Sequence, residues 1–437
     1  MKGQTVDQAG HHQATSASPA RIPSAGGQRI VVIASLTKSL VNFRLELLRA
    51  MVAEGHKVVA LAPDDDRSAI ASLAEIGVGF QQIPMARTGT NPWIDLKTLA
   101  TIWRALREQK PDVLLAYTMK PIIYGGLAAR WAGVPRRFAL FTGFGYVFGE
   151  ARPTRRMAAL RRLSIRLYRA ALVGMPTVFA YNDADAEDIH RHGMISPKTR
   201  MVMVAGSGVD LDRFRQSIPP SGPPRFLLVA RLLREKGIEE FALAAQRLKA
   251  TFPKARFQIL GPFDPSPSGV PANDVDRWIR SGAIDYLGEV ADVRPLLTAC
   301  SVFVLPSYYR EGIPRAALEA LAVGRAIVTT TAPGCRETVI QGINGFQVEP
   351  RSVDALESAM HRLLETPKLI DEMGARSRRI AETRFDVHRV NRALMAEMGL
   401  LRPGAPADQS PAPASRGDAP RRTPMPAIQP AMSARPE

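Results

Sequence analysis

VFVLPSYYREGIPRAALEALAVGRAIVTT, Val302 to Thr330, is a strand, a helix and a second strand in one uninterrupted run. VFVLPS is a short apolar segment closed by Pro306 and Ser307, as a buried strand requires. The segment that follows is predicted to be helical, with Pro314 at the first helical position and Gly324 just past the end. AIVTT is again apolar and β-branched, the composition of a further buried strand. Units of this kind build parallel sheets covered by helices.

The same alternation extends outward on both sides. RFLLVAR (Arg225 to Arg231), ARFQILG (Ala255 to Gly261), AIDYLG (Ala283 to Gly288) and GFQVEP (Gly345 to Pro350) complete a doubly wound sheet over residues 225–385, and a helix over 386–402 is expected to pack back toward the preceding domain. Upstream, QSIPPSGPP at 216–224 has the Pro and Gly content of a linker. Before it, RIVVIAS, KVVALAP, DVLLAYT, RRFALFT, TVFAYN and RMVMVAG alternate with helical patterns over residues 29–215. A chain of 437 residues exceeds the size at which one core stops growing, so the class is α/β with two Rossmann-like domains and a cleft between them. Residues 1–28 are small and polar and residues 403–437 are rich in Pro, Ala, Ser and Arg, and both segments are expected to be disordered.

Composition narrows the chemistry. Lys and Arg number 58 against 41 Asp and Glu, a net charge of +17, which favours anionic partners: nucleic acid, lipid or a phosphorylated small molecule. Cys300 and Cys335 are far apart and outside any C-x-x-C spacing, which argues against a disulfide framework or a zinc cluster. No segment reaches the apolar length of a spanning helix, so any membrane contact is expected to be peripheral.

In parallel sheets ligands bind beyond the carboxyl ends of the strands, and the charged residues collect there. Arg231 and Lys236 follow the strand RFLLVAR, where a guanidinium fork and a mobile ammonium suit a diphosphate, although a solvated basic turn would look the same. Glu311 and Glu319 stand in an E-x7-E spacing, one in the loop and one inside an apolar helix, where they can accept hydrogen bonds from the hydroxyls of one extended ligand. Gly312 would let a ligand approach the backbone, and Gly334 in TAPGCRETV is expected to open another helix near Arg336.

The motifs RLLREKG, YYREGIPRAALEA and APGCRETV, with NFRLELLRAM and YTMKPIIYGGLAARWAGVP upstream, resemble the retaining glycosyltransferases of family 4, which have the GT-B fold. The first-domain motifs resemble the branch that adds N-acetylated or related sugars to polyprenyl-diphosphate-linked saccharides. The resemblance implies that Arg231 and Lys236 neutralise the diphosphate of a nucleotide-sugar donor, UDP-linked in this branch, that Glu319 binds its ribose and that Glu311 binds its sugar. Arg231, Lys236 and Glu311 would carry the chemistry, with Gly312, Ile313, Pro314 and Gly334 lining the donor site. It further implies no cofactor and a metal-independent reaction; Asp64, Asp65 and Asp66 read as a solvated acidic turn.

The chain departs from many members in having SLTKSLVNFR where they have a Gly-Gly loop, and in having no His between His56 and His190. Thr118 and Lys120, with Asn42 and Arg44, are the acceptor-side candidates. The segment Ala151 to Leu172 holds seven arginines and no acid, and it follows FTGFGYVFGE, a Gly-rich loop expected to expose its aromatics. It reads as a contact with an anionic membrane surface, which places the protein in the cytoplasm, attached peripherally to the inner membrane. Two other classes stay open: a basic nucleic-acid-binding protein, and a nucleotide-sugar epimerase of the same fold.

Overall fold

The computed structural model describes residues 27–86, 91–145, 148 and 154–402; nearly all of the two terminal tails lies outside them. The first sheet has strands β1 (Arg29–Ile33), β2 (Lys57–Ala62), β3 (Gly79–Gln82), β4 (Val113–Tyr117), β5 (Arg136–Phe141), β6 (Thr177–Ala180) and β7 (Arg200–Met203). Their order is 3-2-1-4-5-6-7, all parallel. The second has β8 (Arg225–Val229), β9 (Arg256–Leu260), β10 (Asp285–Tyr286), β11 (Val302–Leu305), β12 (Ala326–Thr330) and β13 (Gly345–Val348), in the order 10-9-8-11-12-13 and also parallel. Central strands such as β4 and β11 are buried along their whole length, and their sequences are apolar throughout rather than alternating.

In the first domain α1 (Thr37–Ala53) and α2 (Arg67–Glu75) cover one face of the sheet. α3 (Pro92–Gln109), α4 (Gly126–Trp131), α5 (Arg155–Leu172) and α6 (Asp183–Arg191) cover the other. The Asp64 to Asp66 turn serves these helices. Asp64 accepts from the Thr37 N–H at 2.9 Å, and Asp66 caps α2 at the Ala69 N–H. The second domain adds α7 (Ile238–Thr251), α8 (Ala272–Arg280), α9 (Arg294–Ala299), α10 (Arg315–Val323), α11 (Val353–Glu365) and α12 (Lys368–Ile380). The last helix, α13 (Val387–Glu397), packs on α1 of the first domain.

The chain crosses between domains twice, and the two crossings are hydrogen bonded to each other. The Val209 N–H donates to Phe385 O at 2.7 Å, and the Val387 N–H to Val209 O at 3.0 Å. The proline-rich crossing is not slack at Ser217, whose carbonyl accepts from the fully buried guanidinium of Arg325 at 2.7 Å.

β3 and α3 carry no clear periodic signal. GFQQ is an edge strand with one apolar residue, and α3 is apolar on two sides: Ile102, Ala105 and Leu106 point inward while Trp93, Leu96 and Trp103 are exposed. Three local expectations are corrected. Pro314 is the N-cap of α10 rather than its first residue. Arg336–Thr338 is a single 3₁₀ turn, not a helix. The aromatics Phe144 and Phe148 are buried, because their tilted rings lie 4.4 Å apart and Phe144 packs on Phe141 and Tyr168.

Candidate functional site

The second-domain site is a loop folded on itself. After β11 the Tyr308 and Tyr309 N–H groups donate to Glu235 O at 2.9 and 3.1 Å, which draws the turn bearing Lys236 against the loop bearing Glu311. Lys236 Nζ then lies 2.7 Å from Glu311 Oε1, both side chains largely buried. The Ser307 hydroxyl donates to the same Oε1 at 2.8 Å. Among the described residues Glu311 Oε2 has no partner.

Arg231 lies beyond the end of β8, which stops at Val229, and pairs with Asp264 at 2.5 Å. Hydrogen bonds from Ser266, with Arg231 beside it, hold the Asp264 carboxyl below the usual range. Glu319 is largely but not fully buried in α10 and receives Arg315 Nε on Oε1 at 2.9 Å, again with Oε2 unpartnered among the described residues. Burial pushes this carboxyl above its ordinary pKa, with Arg315 and Arg213 opposing and Asp292 adding to the rise. Arg315 also donates to Gly208 O at 3.1 Å, so the pair sits where the first crossing meets α10.

The glycines have a different reason from the one read in sequence. A Cβ on Gly312 would stand 2.5 Å from Thr142 O and 2.6 Å from Tyr181, and one on Gly334 only 2.0 Å from Gly312 O. The close approach at Gly312 is made by the first domain, not by an open ligand face. Ile313 is buried beside Gly206, which ties the same loop to the end of β7.

On the first-domain side Lys120 is not free in water: its Nζ lies 2.9 Å from Asp95 of α3. Thr118 has φ +69°, uncommon for a β-branched residue, and its buried hydroxyl has no hydrogen-bond partner among the described residues. Arg44 is buried on α1 beneath these strand ends, donating to the Tyr181 hydroxyl, with its guanidinium 5.1 and 5.7 Å from the Tyr117 and Tyr181 rings. Burial pushes the Tyr117 hydroxyl up to about 12, opposed by Arg44 and the Ser39 hydrogen bond. Asn42 is exposed on the opposite side of α1 from Arg44 and makes none of these contacts.

The cation-bearing helix α5 turns Ser164, Tyr168, Ala171 and Leu172 inward, so Leu163 lies on the solvent side with Arg155, Arg156, Arg162 and Arg166. Arg152 lies outside the described residues. Sequence reading passed over the neighbouring exposed apolar residues Trp93 (79% exposed), Leu96, Trp103 and Trp131 of α3 and α4. Positions 93, 96 and 103 share one face of α3, but the inward Ile102, Ala105 and Leu106 of the same helix blur that period. Asp185 and Asp188 were also passed over, although acids at i and i+3 beside the apolar Ala186 and Ile189 are out of place on a solvated face.

This geometry stands on a chain whose residues 41–206 match the family described as "Glycosyl transferase 4-like domain" and residues 223–366 the family described as "Glycosyl transferases group 1". The chain is a GT-B glycosyltransferase. It is 28% identical over 355 residues to the N,N'-diacetylbacillosaminyl-diphospho-undecaprenol alpha-1,3-N-acetylgalactosaminyltransferase of Campylobacter jejuni, covering 78% of this chain and 90% of that one. It is 27% identical to the UDP-Gal:alpha-D-GlcNAc-diphosphoundecaprenol alpha-1,3-galactosyltransferase of Escherichia coli, covering 62% and 71%. In fold the glycosyltransferase matches Anabaena HepE, solved in complex with UDP-glucose, with a TM-score of 0.68 at 19% identity over 86% of this chain and 100% of that one.

Proposed function

We propose that this glycosyltransferase moves an N-acetylhexosamine or related hexose from a UDP-linked donor to a saccharide carried on a polyprenyl diphosphate, with retention of configuration. One observation carries the donor reading: Glu311 and Glu319 are each held by a protein cation through one oxygen, which leaves the other oxygen for a ligand hydroxyl. Glu311 then binds the sugar and Glu319 the ribose, while Arg231 and Lys236 meet the diphosphate. As the bond from the anomeric carbon to the diphosphate oxygen breaks and the acceptor oxygen bonds to that carbon, the acceptor proton passes to the departing phosphate oxygen. Lys236 acts at the point where negative charge grows, which is where fixed charge lowers a barrier most. Lys120 and Thr118 are assigned to the acceptor side, with Lys120 exchanging Asp95 for the acceptor phosphate. No cofactor takes part in this scheme.

The acceptor assignment follows the two undecaprenol-linked relatives. It agrees with the outer surface of α3 to α5, where exposed tryptophans stand among exposed cations, the composition of a surface that lies on anionic lipid at the cytoplasmic face of a membrane. No helix among the described residues is long and apolar enough to cross a membrane. A thermal-shift screen of nucleotides and nucleotide sugars tests the donor, since a ligand at 100 times its Kd adds about 2.7 kcal/mol of stability. Stabilisation by UDP and a UDP-linked hexosamine is expected, and its absence for every nucleotide overturns the reading.

A further inference from the structure

Asp185 and Asp188 lie one turn apart on α6, both buried. Their shared cation comes from the other domain: Arg310 places Nη2 3.1 Å from Asp185 and Nη1 2.5 Å from Asp188. Asp188 has a second cation in Arg191 at 2.8 Å, whereas Asp185 has only Arg310 among the described residues. Backbone groups reinforce the junction. Asn182, hydrogen bonded to Asp185 at 3.0 Å, also donates to Glu311 O at 3.2 Å, and the Gly145 N–H donates to Arg310 O at 3.1 Å. Arg310 is bonded directly to Glu311, which Lys236 and Ser307 hold to the second domain.

We infer that Arg310 is a positioning residue: its ion pairs with Asp185 and Asp188 close the cleft and fix the distance between the donor-side Glu311 and the first domain. The three charges can meet only when the domains are together, and all three regain water when the domains part, so the contact is reversible in a way that a pair buried within one domain is not. Closure excludes water from the donor and brings the acceptor within reach, while the contacts of Glu311 inside its own domain persist. Loss of Arg310 therefore acts on turnover rather than on nucleotide binding. This inference rests on the transfer reaction proposed above.

The test uses the full chain with Glu187→Cys and Lys254→Cys, exposed positions on the two domains, carrying spin labels for pulsed electron paramagnetic resonance. Arg310→Met is expected to lengthen and broaden the interdomain distance and to lower turnover of a UDP-linked sugar about 10- to 100-fold. UDP affinity by calorimetry should stay within about threefold of the parent. Arg310→Lys, which keeps the charge and loses the fork, should hold the short distance and recover most of the turnover. The pair Arg310→Met with Asp185→Asn, which strands less buried charge, should open the cleft as fully as the single variant. An unchanged distance in Arg310→Met, or a loss of turnover matched by an equal loss of UDP affinity, overturns the inference. Failure of the parent chain to bind UDP overturns the donor reading instead, and the distance measurement still decides the role of Arg310.

Discussion

At the rim of the second domain the cations already have partners, Lys236 with Glu311, Arg231 with Asp264 and Arg315 with Glu319. On the outer helices of the first domain they do not: Lys97, Arg104 and Arg107 of α3 and Arg155, Arg156, Arg162 and Arg166 of α5 are exposed and have no acidic partner among the described residues. On the function proposed above, the two regions are basic for different ends. Paired charges are held in place before a ligand arrives and can meet a small diphosphate at defined positions. Unpaired charges sum into a field that an extended anionic surface feels at a distance and salt screens.

The largest effect that would sharpen this contrast lies at Lys236. Lys236→Ala should reduce turnover about 10²- to 10³-fold while UDP affinity falls much less, because the charge it opposes grows as the diphosphate leaves. A rate unchanged at saturating donor removes Lys236 from the mechanism. Glu319→Gln should weaken donor binding by about one to two powers of ten, the worth of a charge-assisted hydrogen bond. Since Arg315 already holds this carboxylate, a lowered Tm with a normal donor Michaelis constant would instead assign Glu319 to the α10 junction alone.

The first-domain surface is tested on vesicles. Arg162→Glu with Arg166→Glu should lower binding to vesicles of anionic lipid about tenfold at low salt, and Trp93→Ala with Trp103→Ala should remove the binding that survives high salt. Equal binding of the parent chain to neutral vesicles at low salt would erase the contrast between the two regions.

The smallest effect is at Asp185, whose carboxyl burial pushes up to about 6 against the pull of Arg310, Asn182 lowering it and Asp188 raising it. Tyr168 of α5 faces the same carboxyl. A carboxyl raised in the folded state contributes stability that is fully present below its unfolded value and lost as the pH rises through about 6. Stability of the parent relative to Asp185→Asn should thus fall by on the order of 1 kcal/mol between acid and neutral pH, followed by urea midpoints at each pH. A difference independent of pH would show that Asp185 keeps one charge state throughout.

What the sequence made legible follows the same division. The strand ends carrying Arg231, Lys236, Glu311 and Glu319 could be read because strand, loop and helix signals are strong there and the charged residues sit at fixed offsets from them. Their partners could not, since Asp264, Ser307 and Arg315 are set by how loops fold. Gly312 was readable as a position needing a small residue, but that Thr142 and Tyr181 are what crowd it depends on the docking of two domains. α3 was lost because its apolar residues face two ways, and Arg310 went unread because its partners lie more than 120 residues upstream.

The paired crossings at Val209 and Val387 have a mechanical consequence. Two covalent connections laced together by hydrogen bonds at one place behave as a single pivot, so the domains can swing but cannot slide apart or shear along the cleft. Motion about one pivot is described by one angle. A side chain near the crossings, such as Arg315, then travels little when the cleft opens, while Arg310, farther along the rim, sweeps the longer arc.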